Sequence, residues 1–311
     1  MSAEGDVWSI GELAERAGTT VKTVRFYSDR GLLPEAGRSS GGHRRYGPEA
    51  LERLRLIRSL RALDLPVPEV GRVLEHGDGL TAGLTDAIDG QLRVLGGQLT
   101  ALRWREAALQ LLRETPVELR AERLRLVGAL STPPGTTALA RFWRAALPAR
   151  LSRPLVAAVL DHAVPQPPSD PSPAQVLAFA ELHAIATAPC GEGGRSGTVW
   201  TDRVRRPDVL YDGLFEAYSL AVPELTADRA PGRGTVLERF VAAHAESRSE
   251  PDGPGFRRRL HGLLSAATDP AVERYWALTT AFAPAGRTPT VGAAHAWMRD
   301  ALAADVAATG G

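Results

Sequence analysis

Between Lys22 and Arg61 stand ten cationic side chains: Lys22, Arg25, Arg30, Arg38, Arg44, Arg45, Arg53, Arg55, Arg58 and Arg61. Four acids oppose them, Asp29, Glu35, Glu49 and Glu52, so this stretch has six surplus positive charges in a chain of formal net charge +1. Such a local excess suits the phosphate oxygens of a polyanion. For the arginines from Arg53 to Arg61 a solvated helix face is an equally good reading. It does not account for "GRSSGGHRRYG" (37–47), where Arg38, His43, Arg44, Arg45 and Tyr46 gather around a Gly-Gly pair. Other chemistries lack their residues. The sequence has no phosphate-loop lysine motif, no His-Glu-x-x-His and no nucleophile elbow. His162, His183, His244, His261 and His295 do not share metal-ligand spacing. The single cysteine, Cys190, excludes a disulfide framework and a cysteine-built metal cage within one chain. No enzyme activity, metal or cofactor is expected.

The elements that would position these groups can be read from capping and periodicity. Ser9 with Glu12 forms a capping box, Ile10, Leu13, Ala14 and Ala17 follow at helical spacing, and Gly18 ends the helix. Thr20 caps a second helix with Val21, Val24 and Tyr27 or Ser28 inside, ended by Gly31. Two short helices around a Gly-containing turn make a helix-turn-helix. The Gly-rich stretch after it predicts a small hairpin, or wing, turning at Ser40-Gly41-Gly42. Pro48 starts a third helix with the stripe Leu51, Leu54, Ile57, Leu60 and Leu63. "PVPEVGRVLEHG" (66–77) reads as a short fourth helix.

From Thr81 to Glu114 the chain has no proline, and Leu84, Ile88, Leu92, Leu95, Leu99, Leu102 and Leu109 form a heptad-like seam. One narrow stripe on a long helix calls for a partner, most simply the same helix of a second subunit. A helix lying on its own domain is the other reading. Beyond Pro116 the segments between loops are rich in Ala and Leu and read as helices; "LVAAVLD" (155–161) is the one candidate strand. "RLVGALS" (125–131) resembles "RLHGLLS" (259–265), and "RFW" (141–143) recurs as "RYW" (274–276), which suggests a duplicated helical module. The predicted fold is therefore mainly all-α: a winged helix-turn-helix over 6–77, a coiled-coil helix over 80–115 and a helical domain over 116–311. No run of about 18 apolar residues suggests a membrane span, and the polar start lacks a signal-peptide core, so a cytoplasmic protein is expected.

Three motifs, "WSIGELAERAG" (8–18), "TVRFY" (23–27) with "GLL" (31–33), and "GGHRRY" (41–46), resemble the DNA-binding domain of the MerR family of transcription regulators. The resemblance covers about residues 6–77, and the long helix after them is similar to that family's antiparallel dimerisation helix. It implies a homodimer on double-stranded promoter DNA, bending and untwisting an operator between promoter elements read by RNA polymerase. The second helix would enter the major groove through Thr20, Lys22, Thr23 and Arg25. The resemblance further implies a phosphate contact for Tyr27, with a core ring as the other reading, and a wing gripping the backbone through Arg38, His43, Arg44, Arg45 and Tyr46. Two positions depart from the family pattern: Ser28 where an acid is usual, and His43 where a tyrosine is common.

The remaining two-thirds lies outside the resemblance. Cysteines just after the dimerisation helix, which metal and redox sensors of the family use, are missing, and "DHAVP" (161–165) does not match the cobalamin signature. What remains is a helical effector module similar in kind to the antibiotic-sensing domains of TipA and AlbA regulators. Trp143, Trp200, Tyr211, Phe215, Tyr218, Tyr275 and Trp276 are the candidates for holding a small aromatic, drug-like ligand, and core packing is the alternative for each. "YDGLFEAYSL" places Asp212 and Glu216 beside that aromatic face, where they could meet a cation. A regulator without a ligand, whose helices bind another protein or pad the dimer, stays open.

Overall fold

The computed structural model describes residues 7–75, 80–188, 204–266, 269–283 and 289–309. Two compact units divide the chain, residues 1–98 and 99–311. Among the described residues no helix is long and apolar enough to cross a membrane.

The first unit opens with α1 (Ile10–Arg16), whose capping box is closed: Ser9 Oγ accepts from Glu12 N, and Ser9 N donates to the Glu12 carboxylate at 2.7 Å. α2 (Val21–Asp29) starts on Thr20, whose Oγ1 accepts from Thr23 N at 3.1 Å. Gly18 and Gly31, at φ 59° and 72°, supply the left-handed residues that end these helices. β1 (Gly37–Arg38) and β2 (Arg44–Arg45) form an antiparallel hairpin pairing Gly37 with Arg45 and Arg38 with Arg44. Its base is fastened to the start of the fold, because Trp8 N donates to Tyr46 O at 2.7 Å and Tyr46 N to Trp8 O at 2.9 Å. α3 (Pro48–Ala62) and α4 (Val67–Glu75) complete the unit with the beginning of α5 (Leu80–Glu114). Leu13, Val24, Tyr46, Leu54, Ile57, Leu60, Val70 and Val73 form the core. Leu63, read as part of the α3 stripe, instead caps the helix and is 61% exposed, while Leu65 turns back into the core.

The second unit begins within α5, earlier than the boundary at 116 expected from the sequence. The cause is a second apolar face on that helix. Trp104, Ala107 and Leu111 are buried with Phe142, Phe179 and Tyr275, and Trp104 Nε1 donates to Pro168 O at 2.9 Å. Then follow α6 (Val117–Gly128), α7 (Thr137–Ala146), α8 (Arg153–Ala163), α9 (Pro173–Thr187), α10 (Pro207–Thr226), α11 (Thr235–Arg248), α12 (Pro254–Ala266), α13 (Pro270–Thr279) and α14 (Val291–Thr309). The candidate strand 155–161 lies inside α8. Ser152 and Pro154 precede and open that helix, and its alanines favour it over an extended run.

A second core joins α10, α11, α12 and α14 around Leu210, Phe240, Leu260, Met298 and Leu302. α10 approaches α11 at Gly213, where an added Cβ would stand 2.5 Å from the Ala243 Cβ. At the other end of α14 the Asp305 carboxylate takes Arg233 and Arg257, and Arg257 also reaches Glu238 and Asp252.

Candidate functional site

Two surfaces carry the candidate residues. On α2, Val24, Tyr27 and Ser28 turn into the core, so Thr20, Lys22 and Arg25 face out and Thr23 is half-exposed. No ion pair engages Lys22 or Arg25 among the described residues. The wing tip is closed by Gly42 N donating to Ser39 O at 2.8 Å, with Gly42 at φ 79°, and leaves Arg38 and His43 exposed. Arg45 is half-exposed beside them.

Three of the expected contacts have other tasks. Tyr46 is fully buried, and its hydroxyl lies 2.7 Å from Ser28 Oγ, so it cannot grip a backbone outside the fold. Tyr27 is a buried ring, edge-on to Phe26. Arg44 is drawn inward: its guanidinium meets Asp29 at 2.5 Å, Glu35 at 2.7 Å and Ser28 Oγ at 3.1 Å. Ser28 thus ties wing to helix through its hydroxyl, and the neighbouring Asp29 supplies the charge.

The arginines of α3 divide: Arg55 and Arg58 are exposed, as the solvated-face reading expects, while Arg53, Arg58 and Arg61 donate to backbone carbonyls. Arg53 donates to Leu32 O at 2.9 Å and to Leu74 O at 3.1 Å, Arg58 donates to Ala17 O, and Arg61 to Leu65 O at 2.5 Å. Several of these carbonyls stand where helices end, where no intrahelical donor is left for them. Arg55 pairs with Glu52. Lys22 and Arg25 of α2 thus stand exposed outside any ion pair among the described residues, while Arg38 at the wing pairs with Glu35 at 3.4 Å.

Along α5 the seam turns outward. Ile88, Leu92, Leu95, Leu99, Leu102 and Leu109 are between 39% and 68% exposed. Leu84 differs, being packed against the first unit's core beside Ala87.

The second surface is a cleft of about 170 Å³ within the second unit, bounded by α7, α8, α10, α12, α13 and α14. That is well above the roughly 10–15 Å³ one water needs. Trp143, Tyr211, Phe215, Tyr218 and Trp276 all line it. The tryptophan centroids are 4.8 Å apart, and Phe215 and Tyr218 meet edge-on at 6.3 Å. Phe142 and Tyr275, the residues before each tryptophan, stack at 5.5 Å with planes 5° apart, so the two similar motifs face one another. Tyr275 itself is core: it is fully buried, and its hydroxyl donates to Ala163 O at 2.8 Å. Trp200 and Cys190 lie outside the described residues.

Sequence reasoning missed the polar lining. Glu216 pairs with Arg239 at 2.5 Å and Asp212 is exposed; neither lines the cleft. Asp269, Glu273, His295 and Arg299 do, together with His162. Their signal was the spacing of three and four residues in Asp269, Val272, Glu273, Trp276 and in Val291, His295, Arg299, which puts each set on one helix face. Tyr218 Oη lies 3.3 Å from His295 Nδ1. Burial holds the His295 imidazole down to about 4 and the phenols of Tyr211 and Tyr218 well above their ordinary range, so all three are neutral near pH 7.

Residues 8–77 match the family described as MerR HTH family regulatory protein. The nodulation protein NolA of Bradyrhizobium elkanii is 42% identical over 82 residues, 26% of this chain and 34% of that protein. The HTH-type transcriptional activator TipA of Streptomyces coelicolor is 44% identical over 68 residues, 22% of this chain and 27% of that protein. The chain thus spans about a third of the length of the first of these relatives. Among solved structures, the lead-bound transcription regulator PbrR691 of Ralstonia metallidurans CH34 is 37% identical, with 35% of this chain and 89% of that chain covered at a TM-score of 0.30. The amino-terminal segment of this chain belongs to the MerR family of helix-turn-helix regulatory proteins.

Proposed function

We propose that the chain is a homodimeric transcription regulator that grips two half-sites of a pseudo-palindromic promoter operator and distorts it for RNA polymerase. The observation that carries this reading is the outward face of α2, where Lys22 and Arg25 stand exposed beside Thr20. Cations without internal counter-ions on a recognition helix suit base edges and phosphates. The apolar row of α5 supports pairing with a second copy, since a sustained exposed stripe of this kind is buried in a helix pair. Two winged helices then sit on one face of the duplex, and bending such a site costs on the order of 1–6 kcal/mol.

The cleft supports the second half of the reading: a small hydrophobic or aromatic molecule biases that distortion. It can do so only by binding the two states of the dimer unequally. The protein acts in the cytoplasm, and no catalytic step is assigned to it.

The test is sedimentation of the purified chain together with fluorescence-anisotropy titration of duplexes from its own upstream region. A dimer whose affinity falls steeply with salt is expected. A monomer without affinity for these duplexes in dilute salt overturns the proposal. If aromatic compounds leave both binding and melting unchanged, the regulator is ligand-independent.

A further inference from the structure

The chemistry of the cleft's occupant can be taken further, on the reading that the second unit binds a small molecule. Its walls are aromatic, and its polar groups fall into two sets. At one side the charges already have partners. Glu273 pairs with Arg299 at 3.3 Å, and Asp269 Oδ1 accepts from Ala271 N at 2.8 Å at the start of α13. His162 Nδ1 is 2.8 Å from Ala158 O. An anion entering the cleft would meet Arg299 already paired with an acid, and burying an unpaired charge is heavily penalised, whereas the Asp269 carboxylate has only a neutral N–H as its partner.

The second set is the pair Tyr218 and His295. Both side chains keep part of their surface accessible, and both line the cleft. Their separation of 3.3 Å is long for a hydrogen bond, beyond the roughly 2.5–3.2 Å of well-made ones. A hydroxyl held so loosely can swing to donate to an incoming acceptor while the imidazole stays beside it. Neutral groups in an apolar enclosure favour a neutral partner that returns the hydrogen bond.

We infer that the cleft takes a flat, uncharged aromatic molecule bearing a carbonyl oxygen, stacked on the Trp143–Trp276 wall and held by the Tyr218 hydroxyl. The aromatic wall supplies affinity without orientation. The hydroxyl supplies orientation.

Equilibrium dialysis of the full chain against three tricyclic probes of similar size tests this: 9-fluorenone, fluorene, which lacks the oxygen, and 9-aminoacridine, which is cationic. 9-Fluorenone is expected to bind about tenfold more tightly than fluorene, the range of one neutral hydrogen bond, and more tightly than 9-aminoacridine. In Tyr218→Phe the ketone falls to the hydrocarbon's affinity, while fluorene stays within about twofold of its wild-type value. Equal affinity of ketone and hydrocarbon for the wild-type chain overturns the inference without any variant. So does preference for the cation, and so does failure of all three to bind. Anisotropy of a promoter duplex with the same probes separates the two readings. Ketone selectivity without any change in duplex affinity upholds the inference and sinks ligand control of transcription. A preferred cation that shifts duplex affinity does the reverse.

Discussion

The candidate surface of the first unit is built from side chains close to one another in sequence, and that of the second from side chains drawn from helices far apart. In the first, Thr20, Lys22 and Arg25 sit on two turns of one helix, and the wing that flanks them is closed by the Ser39–Gly42 turn. In the second, Trp143 and Trp276, which meet at 4.8 Å, are separated by most of that unit's sequence. A locally built surface is set by capping and turn chemistry. A surface assembled from six helices is set by packing, and every helix that shifts reshapes it. The two should therefore respond differently to substitution.

The largest effect is expected from Phe240→Ala in the second core, about 3–5 kcal/mol for a buried aromatic cut to a methyl group. Calorimetry should show the loss in melting of the second unit, with promoter affinity at low temperature nearly unchanged. Removing both outward cations, Lys22→Ala with Arg25→Ala, should do the opposite. Affinity for the operator falls by about 1–3 kcal/mol for each base-reading side chain removed, while the melting curve stays put. Anisotropy titration and thermal melting of the same preparation check both halves.

Gly213→Ala sharpens the contrast, because its Cβ would meet α11 and overpacking costs about 1–3 kcal/mol. Aromatic-probe binding should weaken along with stability, since α10 carries Tyr211, Phe215 and Tyr218. Arg53→Met probes whether the first unit's cations are all alike. Without its bonds to Leu32 O and Leu74 O, stability should fall by about 1 kcal/mol. The salt dependence of DNA binding should not change, whereas removing a phosphate-bound cation lowers that slope by about one.

The smallest effect concerns pH. His295 titrates at about 4 in the fold, against 6.5 when free, so the unfolded chain holds the extra proton between these values. Its contribution to stability is complete above about pH 6.5 and is lost as the pH falls toward about 4. His244, also buried and neutral, acts in the same direction. Melting of His295→Gln should therefore depend less on acid than melting of the parent chain.

Much of the first unit is legible in its residues alone. The Ser9–Glu12 box, the Thr20 cap and the helix stops at Gly18 and Gly31 are local signals, and the helix boundaries follow them within a residue or two. Charge is less readable. Arg44, Arg53, Arg58 and Arg61 look the same in sequence as Lys22 and Arg25, but they serve carboxylates and carbonyls brought near only by tertiary packing. Tyr46 departs from its expected role for a similar reason: its hydroxyl finds Ser28, eighteen positions earlier. In the second unit the aromatic residues of the cleft are visible as a group, and five of the seven candidates line it. The polar groups among them are not, since His295, Asp269 and Glu273 become neighbours only when α13 and α14 pack.

Gly292 lies behind the cleft and does not line it, yet a Cβ there would stand 2.5 Å from the Trp276 Cβ. The indole rests against bare backbone. A single methyl group at 292 would press the Trp276 ring forward and reshape the cleft from its rear, with the identity of every lining residue unchanged. If the cleft holds the proposed ligand, drift at this one position offers descendants of the protein a route to new preferences that a survey of the cleft's own walls would overlook.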